Sequence, residues 1–151
     1  MKFTPSKINS FLLFKLPSAF FTGVRVSSIS EEKAEVKVKY KWINQNPFRS
    51  MFWAVQGMAS ELSTGILMMQ AIAKSEKKIS MLVTNMNANF SKKATGKISF
   101  VCNDGNLIQE TLEKAIETNE GQTVILTSEG KNSEGITVSK FEFEWSVKVK
   151  S

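Results

Sequence analysis

Residues 51–73 read MFWAVQGMASELSTGILMMQAIA, and the reading of this stretch decides the fold. At 100° per residue it is apolar or small on most of its circumference, the pattern of a buried, central helix. Ser50 precedes it as an N-cap candidate. Before that, Ile43 to Ser50 (INQNPFRS) is a loop by its Asn and Pro content, and the polar run Lys74 to Lys78 ends the helix. One residue breaks the apolar pattern. Glu61 falls within about 40° of Gly57, Met68, Ala54, Ile72 and Gly65, while the more polar Gln56, Ser60, Ser63 and Gln70 fall on roughly the opposite side. A carboxylate on the apolar side of a helix must be paired, protonated or turned toward a wet cavity. Glu61 is therefore the leading site candidate.

Strand signals flank the helix on both sides. Ala34, Val36, Val38, Tyr40 and Trp42 alternate with Glu35, Lys37, Lys39 and Lys41, which predicts a half-buried antiparallel strand. Gly23 to Ile29 supplies its partner across the turn Ser30 to Lys33. After the helix, Met86, Ala88 and Phe90 alternate with asparagines, and Ile98, Phe100 and Cys102 alternate with Lys97, Ser99 and Val101. A second, exposed helix is expected over Leu107 to Asn119, with Leu112 and Ile116 inward. Gln122 to Glu129 and Ile136 to Lys150 close the chain as a hairpin through Gly130 to Gly135, with Phe141, Phe143, Trp145, Val147 and Val149 facing the core. A short N-terminal helix, Ser6 to Leu16, is ended by Pro17. The expected class is α+β: six antiparallel strands curved around one long helix, in a single domain spanning residues 1–151.

Composition excludes more than it selects. The 151 residues are 42% hydrophobic, enough for one real core, and carry a net charge of +6. That balance fits an anionic small molecule, a membrane surface or nucleic acid, but the lysines are scattered and no aromatic-plus-Arg platform occurs, so nucleic acid is not expected. Histidine is absent, which removes every mechanism with a His base, and the lone Cys102 cannot build a metal site or an internal disulfide. No stretch is long and apolar enough to insert in a membrane. The N-terminal apolar run is bracketed by Lys7 and Lys15 and broken by Asn9 and Ser10, so a cytoplasmic protein is expected.

A long greasy helix entered from an Asn-containing loop, then four strands wrapped about it, resembles the hotdog fold. Within that fold, the sequence looks most like the thioesterase-like family called domain of unknown function 4442, related to the phenylacetate-pathway acyl-CoA thioesterases, over roughly Phe14 to Lys150. Such thioesterases carry an Asn in the loop and an Asp or Glu about fifteen residues later, and Asn46 and Glu61 stand at that spacing. Residues 90–96 (FSKKATG) resemble the turn near which they hold the coenzyme A tail, with Lys93 where a Pro is usual. Phe52-Trp53-Ala54 replaces their His-Gly-Gly at the helix start.

The resemblance implies hydrolysis of an acyl-CoA or related thioester. Glu61 would be general base or nucleophile, Asn46 would orient the water or the carboxylate, and backbone N–H groups at Phe52 and Trp53 would hold the oxyanion. Lys92, Lys93, Lys97 and Arg49 are candidates for the ligand's phosphates, and Met58 and Thr64 for the pocket lining. Coenzyme A enters only as part of the substrate, with no resident cofactor. A homodimer or a dimer of dimers, with ligand sites between chains, is implied as well. Bland readings stand beside these. Glu61 would pair with Arg49 or across an interface, the lysines would be solvated, the methionines would be ordinary core, and Ser60, Ser63 and Thr64 would bond back to helix carbonyls. The competing function is a non-catalytic binder of acyl or fatty-acid-like ligands, which Phe52-Trp53 favours.

Overall fold

The computed structural model describes residues 2–151. Its centre is the helix α3, Trp53–Ser75, lying in the concave side of a six-stranded antiparallel sheet. The strands are β1 (Arg25–Ile29), β2 (Ala34–Lys39), β3 (Ile79–Phe90), β4 (Lys97–Cys102), β5 (Gln122–Lys131) and β6 (Thr137–Val149). They run in the order β1-β2-β4-β5-β6-β3, so the chain crosses the sheet after α3 and leaves β3 as an open edge. Helix α1 (Pro5–Lys15) covers β1, α2 (Pro17–Phe21) packs on α1 and α3, and α4 (Gly105–Thr118), which follows β4 in the chain, packs against α3, β5 and β6. This is the fold expected from the sequence, six strands around one long helix.

The core forms between α3 and the inner face of the sheet. Val36, Val38, Ile98, Phe100, Leu126, Phe141, Phe143 and Val147 meet Val55, Ala59, Ile66 and Leu67 there, all buried. Phe141 stacks on Phe143 at 5.8 Å and meets Phe100 edge-on at 6.3 Å, contacts of about 1 kcal/mol each beyond area burial. Inward alternation holds along β6 as expected. In β3 a bulge at Val83/Asn85 changes parity, so Met81 and Val83 face in before it and Ala88 after it.

Several boundaries differ from the sequence reading. Strand β2 stops at Lys39, and Trp42 opens a 3-10 turn, Trp42–Asn44, with its ring 82% exposed instead of buried. The buried Asn44 side chain imposes that break. It accepts from Lys41 N–H at 2.9 Å and donates to the carbonyls of Thr22 and Lys39, both at 2.9 Å. Ser50 does not cap α3: its hydroxyl and N–H both reach Asn46, and the capping position falls to Phe52. Pro17 does more than end α1, because it opens α2 at a first-turn position that tolerates a missing N–H. Two glycines are dictated by geometry. Gly96 adopts φ 71° in the turn before β4. A Cβ on Gly105 would lie 2.1 Å from the Glu31 carbonyl oxygen.

Candidate active site

Glu61 sits on the less covered side of the first half of α3, where Ala54, Gly57 and Met58 are also only partly buried. The stripe opposite, which is the more polar one, is turned into the molecule: Gln56, Ser60 and Ser63 are buried, and Thr64 beside them is buried too. Ser60 Oγ donates to the Gly57 carbonyl, Ser63 Oγ to the Ser60 carbonyl and Thr64 Oγ1 to the Glu61 carbonyl, the back-bonding expected of these residues. Their remaining capacity goes to the sheet. Ser63 and Ser128 hydroxyls meet at 2.7 Å, Ser139 Oγ donates to Gln56 Oε1 at 2.8 Å, and Trp145 Nε1 donates to Thr64 Oγ1 at 3.0 Å. The polar stripe is thus fully satisfied internally and fixes the rotation of α3.

That rotation turns Glu61 toward a cavity of about 250 Å³ lined by Lys15, Leu16, Pro17, Ala19, Met58 and Leu62. The α1–α2 corner forms one wall, and Pro17 shapes that corner. Among the described residues the Glu61 carboxylate has neither an ion pair nor a hydrogen-bond donor, and Arg49 is not its partner. Burial alone raises its pKa above the ordinary carboxylate value. An unpaired, partly desolvated carboxylate facing a mostly apolar cavity is poised to take a proton.

Asn46 belongs to a different depression. About 530 Å³ in volume, this one lies at the start of α3 and is lined by Asn46, Phe48, Met51, Phe52, Trp53, Gln56, Phe90, Lys92 and Lys93. Asn46 Oδ1 accepts from Phe48 N–H at 2.9 Å and Ser50 N–H at 3.2 Å, while its Nδ2 reaches the Met51 carbonyl at 3.3 Å. Asn46 is committed to organising its own loop. Eight residues of helix separate Trp53 from Glu61, roughly 12 Å, so one chain does not bring Asn46 and Glu61 together.

The other sequence-derived candidates divide between these places or fall outside both. Phe52 N–H donates to the Asn44 carbonyl at 2.9 Å and is therefore occupied. Trp53 N–H, at the first helical position, points from the helix end without an acceptor among the described residues. Met58 lines the Glu61 cavity. Lys92 and Lys93 line the Asn46 depression, with Lys93 Nζ donating to the Phe48 carbonyl at 3.1 Å. Arg49 (φ 62°) is exposed in its loop, Lys97 faces solvent on β4 opposite Lys39, and Thr64 is buried under Trp145. The FSKKATG turn has a clear role: the Ala94 carbonyl accepts from Met51 N–H and the Gly96 carbonyl from Tyr40 N–H, each at 2.8 Å. Lys15 to Ala19 and Gln56 were not among the candidates. Pro17 was the one sequence sign that the chain turns there.

The family model for "Domain of unknown function (DUF4442)" matches residues 6–147. Among proteins with curated descriptions, none matches the chain. Solved structures match over nearly its whole length. A Pseudomonas aeruginosa protein of unknown function, described as a "Probable Thioesterase", superposes with a TM-score of 0.82 at 17% identity, covering 97% of both chains. A Haemophilus influenzae thioesterase superposes with a TM-score of 0.74 at 16% identity, covering 99% of this chain and 93% of that one. A Staphylococcus aureus thioesterase variant covers 83% of this chain and 93% of its own, with a TM-score of 0.63 at 13% identity. The chain belongs to the domain of unknown function 4442 family, and its fold is the hotdog fold of thioesterase-like proteins.

Proposed function

We propose that this protein hydrolyses an acyl thioester, with acyl-CoA the preferred form, and that Glu61 is its general base. The observation that carries this reading is the Glu61 carboxylate itself, without a partner among the described residues and raised in pKa by burial beside a mostly apolar cavity. Glu61 would take a proton from water as the water oxygen attacks the thioester carbonyl. In a dimer that sets Glu61 against the helix start of a second copy, that copy's Trp53 N–H, at the positive helix end, would stabilise the tetrahedral oxyanion. Collapse would break the C–S bond, the proton would pass to the thiolate, and a carboxylic acid and a thiol would leave. This chemistry needs no resident cofactor.

Two comparisons support the reading. Structural neighbours from Pseudomonas aeruginosa and Haemophilus influenzae bear thioesterase names. The Staphylococcus aureus variants change a glutamine and a glutamate fifteen positions apart, the same separation as Asn46 and Glu61. Because one chain keeps those two residues in separate depressions, we propose a homodimer in which Glu61 of one copy faces the Asn46 loop of the other. The open β3 edge, with Leu82, Met86 and Phe90 exposed, supports that assembly. Lys92 and Lys93 would receive the coenzyme A phosphates. The single buried thiol of Cys102 suits a reducing, cytoplasmic setting.

The alternative is a non-catalytic binder of acyl groups, favoured by the half-exposed Trp53 ring that stands at the helix start against Phe52. The test is thiol release from acyl-CoAs of graded length, with wild type and Glu61→Gln assayed together. Turnover abolished by the substitution in folded protein supports hydrolysis. Ligand binding without turnover in the wild type transfers the assignment to the binder.

A further inference from the structure

Charge is distributed unevenly along the strand axis. No Asp or Glu occurs before Glu31, between Glu35 and Glu61, or between Glu76 and Asp104. These three acid-free segments make their turns at one end of the β1–β2–β4 side of the sheet, while the β5–β6 turn that carries Glu134 lies at the same strand end on the neighbouring side. Lys39 pairs with Lys97 across β2 and β4, Tyr40 N–H meets the Gly96 carbonyl, and Asn44 ties that end to Thr22. Helix α1 points the same way: Phe3 shares a cavity with Glu31, and Asn9 bonds Val26, so Phe14 and Lys15 reach the Gly23 end. The Lys41 side chain lies against Gly23. Lys15, Lys39, Lys41 and Lys97 are all exposed there and have no acidic partner among the described residues. The opposite end holds Glu31 and Glu32 against the start of α4, which carries Glu110, Glu113 and Glu117.

The same basic end exposes large apolar side chains at the tips of its turns. Trp42 is 82%, Phe14 78% and Phe21 61% exposed, with Ile43 and Leu16 beside them. We infer that this end docks on an anionic lipid surface, with the aromatic tips entering the headgroup region and the lysines meeting lipid phosphates. A second copy related by a two-fold would bring uncompensated lysines together. Trp42, Phe14 and Phe21 would also offer bases stacking faces, but the aliphatic Ile43 and Leu16 exposed among them suit lipid and not a base. Arg25 is already held over Phe20 at 3.7 Å with its guanidinium on the Phe20 and Val24 carbonyls. Leu16 also lines the Glu61 cavity, so the docked edge is the cavity's rim and an acyl ligand would enter from the lipid side. The inference stands on this surface alone and does not require hydrolysis.

Co-sedimentation with phosphatidylcholine vesicles, with and without a third of phosphatidylglycerol, tests it. Wild type binds the anionic vesicles only, and binding weakens as salt rises. Phe21→Ser with Trp42→Ser lowers the bound fraction about tenfold at unchanged thermal stability. Lys39→Gln with Lys41→Gln lowers it and flattens the salt dependence. Leu107→Ser, exposed on α4 at the acidic end, binds as wild type. Four results would overturn the inference: no vesicle binding, equal binding to neutral vesicles, binding of a single-stranded oligonucleotide instead, or a self-associated species that the Phe21/Trp42 variant dissociates.

Discussion

The two long sides of α3 have opposite fates. Gln56, Ser60, Ser63 and Thr64 are polar, yet they are buried against β5 and β6 and their hydrogen bonds close among themselves and with Ser128, Ser139 and Trp145. Glu61, Met58 and Ala54 lie on the more apolar side, yet over the first half of the helix that side is the less covered, and only farther along are Gly65 and Met68 buried. A helix chooses its buried side by which groups find partners there, not by hydropathy alone. Hydroxyls satisfied by the sheet are inexpensive to bury, whereas an ionised carboxylate without a donor is not. The polar side locks the helix, and the apolar side presents the charge.

The largest expected effect tests the presenting side. Glu61→Gln should reduce thiol release by two to four orders of magnitude, on the order of the contribution of a general base. Stability should move the other way. Because burial raises the folded-state pKa of Glu61 above its unfolded value, the native state holds its proton more tightly. The stability advantage of the protonated acid is complete below the ordinary carboxylate range and is lost as pH rises through the folded pKa. Removing the charge should therefore raise Tm at neutral pH, and the gain should vanish in acid below that range. An unchanged or lowered Tm at neutral pH would mean that Glu61 makes a stabilising contact.

Next in size are breaks in the locking side. Thr64→Val removes the acceptor of the buried Trp145 indole N–H and should cost about 1–3 kcal/mol in chemical denaturation. Gln56→Leu strands the buried Ser139 hydroxyl with a similar loss. A double-mutant cycle of Ser63→Ala and Ser128→Ala should show a coupling of about 0.5–2 kcal/mol, with the double variant less destabilised than the singles sum to. Additive losses would mean that the two hydroxyls act separately.

The smallest effect compares two glycines of the same helix. A Cβ at Gly57 would make ordinary contacts at 3.8 Å to Phe141 and 3.9 Å to Trp53, so Gly57→Ala should stabilise by up to about 1 kcal/mol through helix propensity. At Gly65 the Cβ would meet the Trp145 ring at 3.3 Å, and the same change should gain nothing or destabilise. Equal gains at both positions would show that Trp145 is less firmly seated than its bond to Thr64 suggests.

Much of the fold was legible because alternation and helical periodicity are local, and they hold along β2, β4, β5 and β6. Trp42 shows where that logic ends. The alternating pattern ran on past Lys39, but Asn44 found carbonyls on two other segments and turned the chain out of the sheet. Ser50 failed as a cap for a related reason, since Asn46 took both of its polar groups. In β3 the bulge after Val83 changed parity, which no composition rule announces.

At the site, the sequence by itself determined that Glu61 is an out-of-place charge on a helix central to the fold, because a single carboxylate in an apolar periodic stretch needs no partner to be conspicuous. It also determined the chemistry that is missing, since a chain without histidine has no His base. Only the tertiary structure decided which side of α3 faces the sheet, that Asn46 serves its own loop, and that the Lys15–Ala19 corner walls the Glu61 cavity. The reason is physical. Each of those facts is a contact between residues distant in sequence, and hydrogen-bond partners such as Ser128, Ser139 and Trp145 exist for the helix only once β5 and β6 have folded beside it.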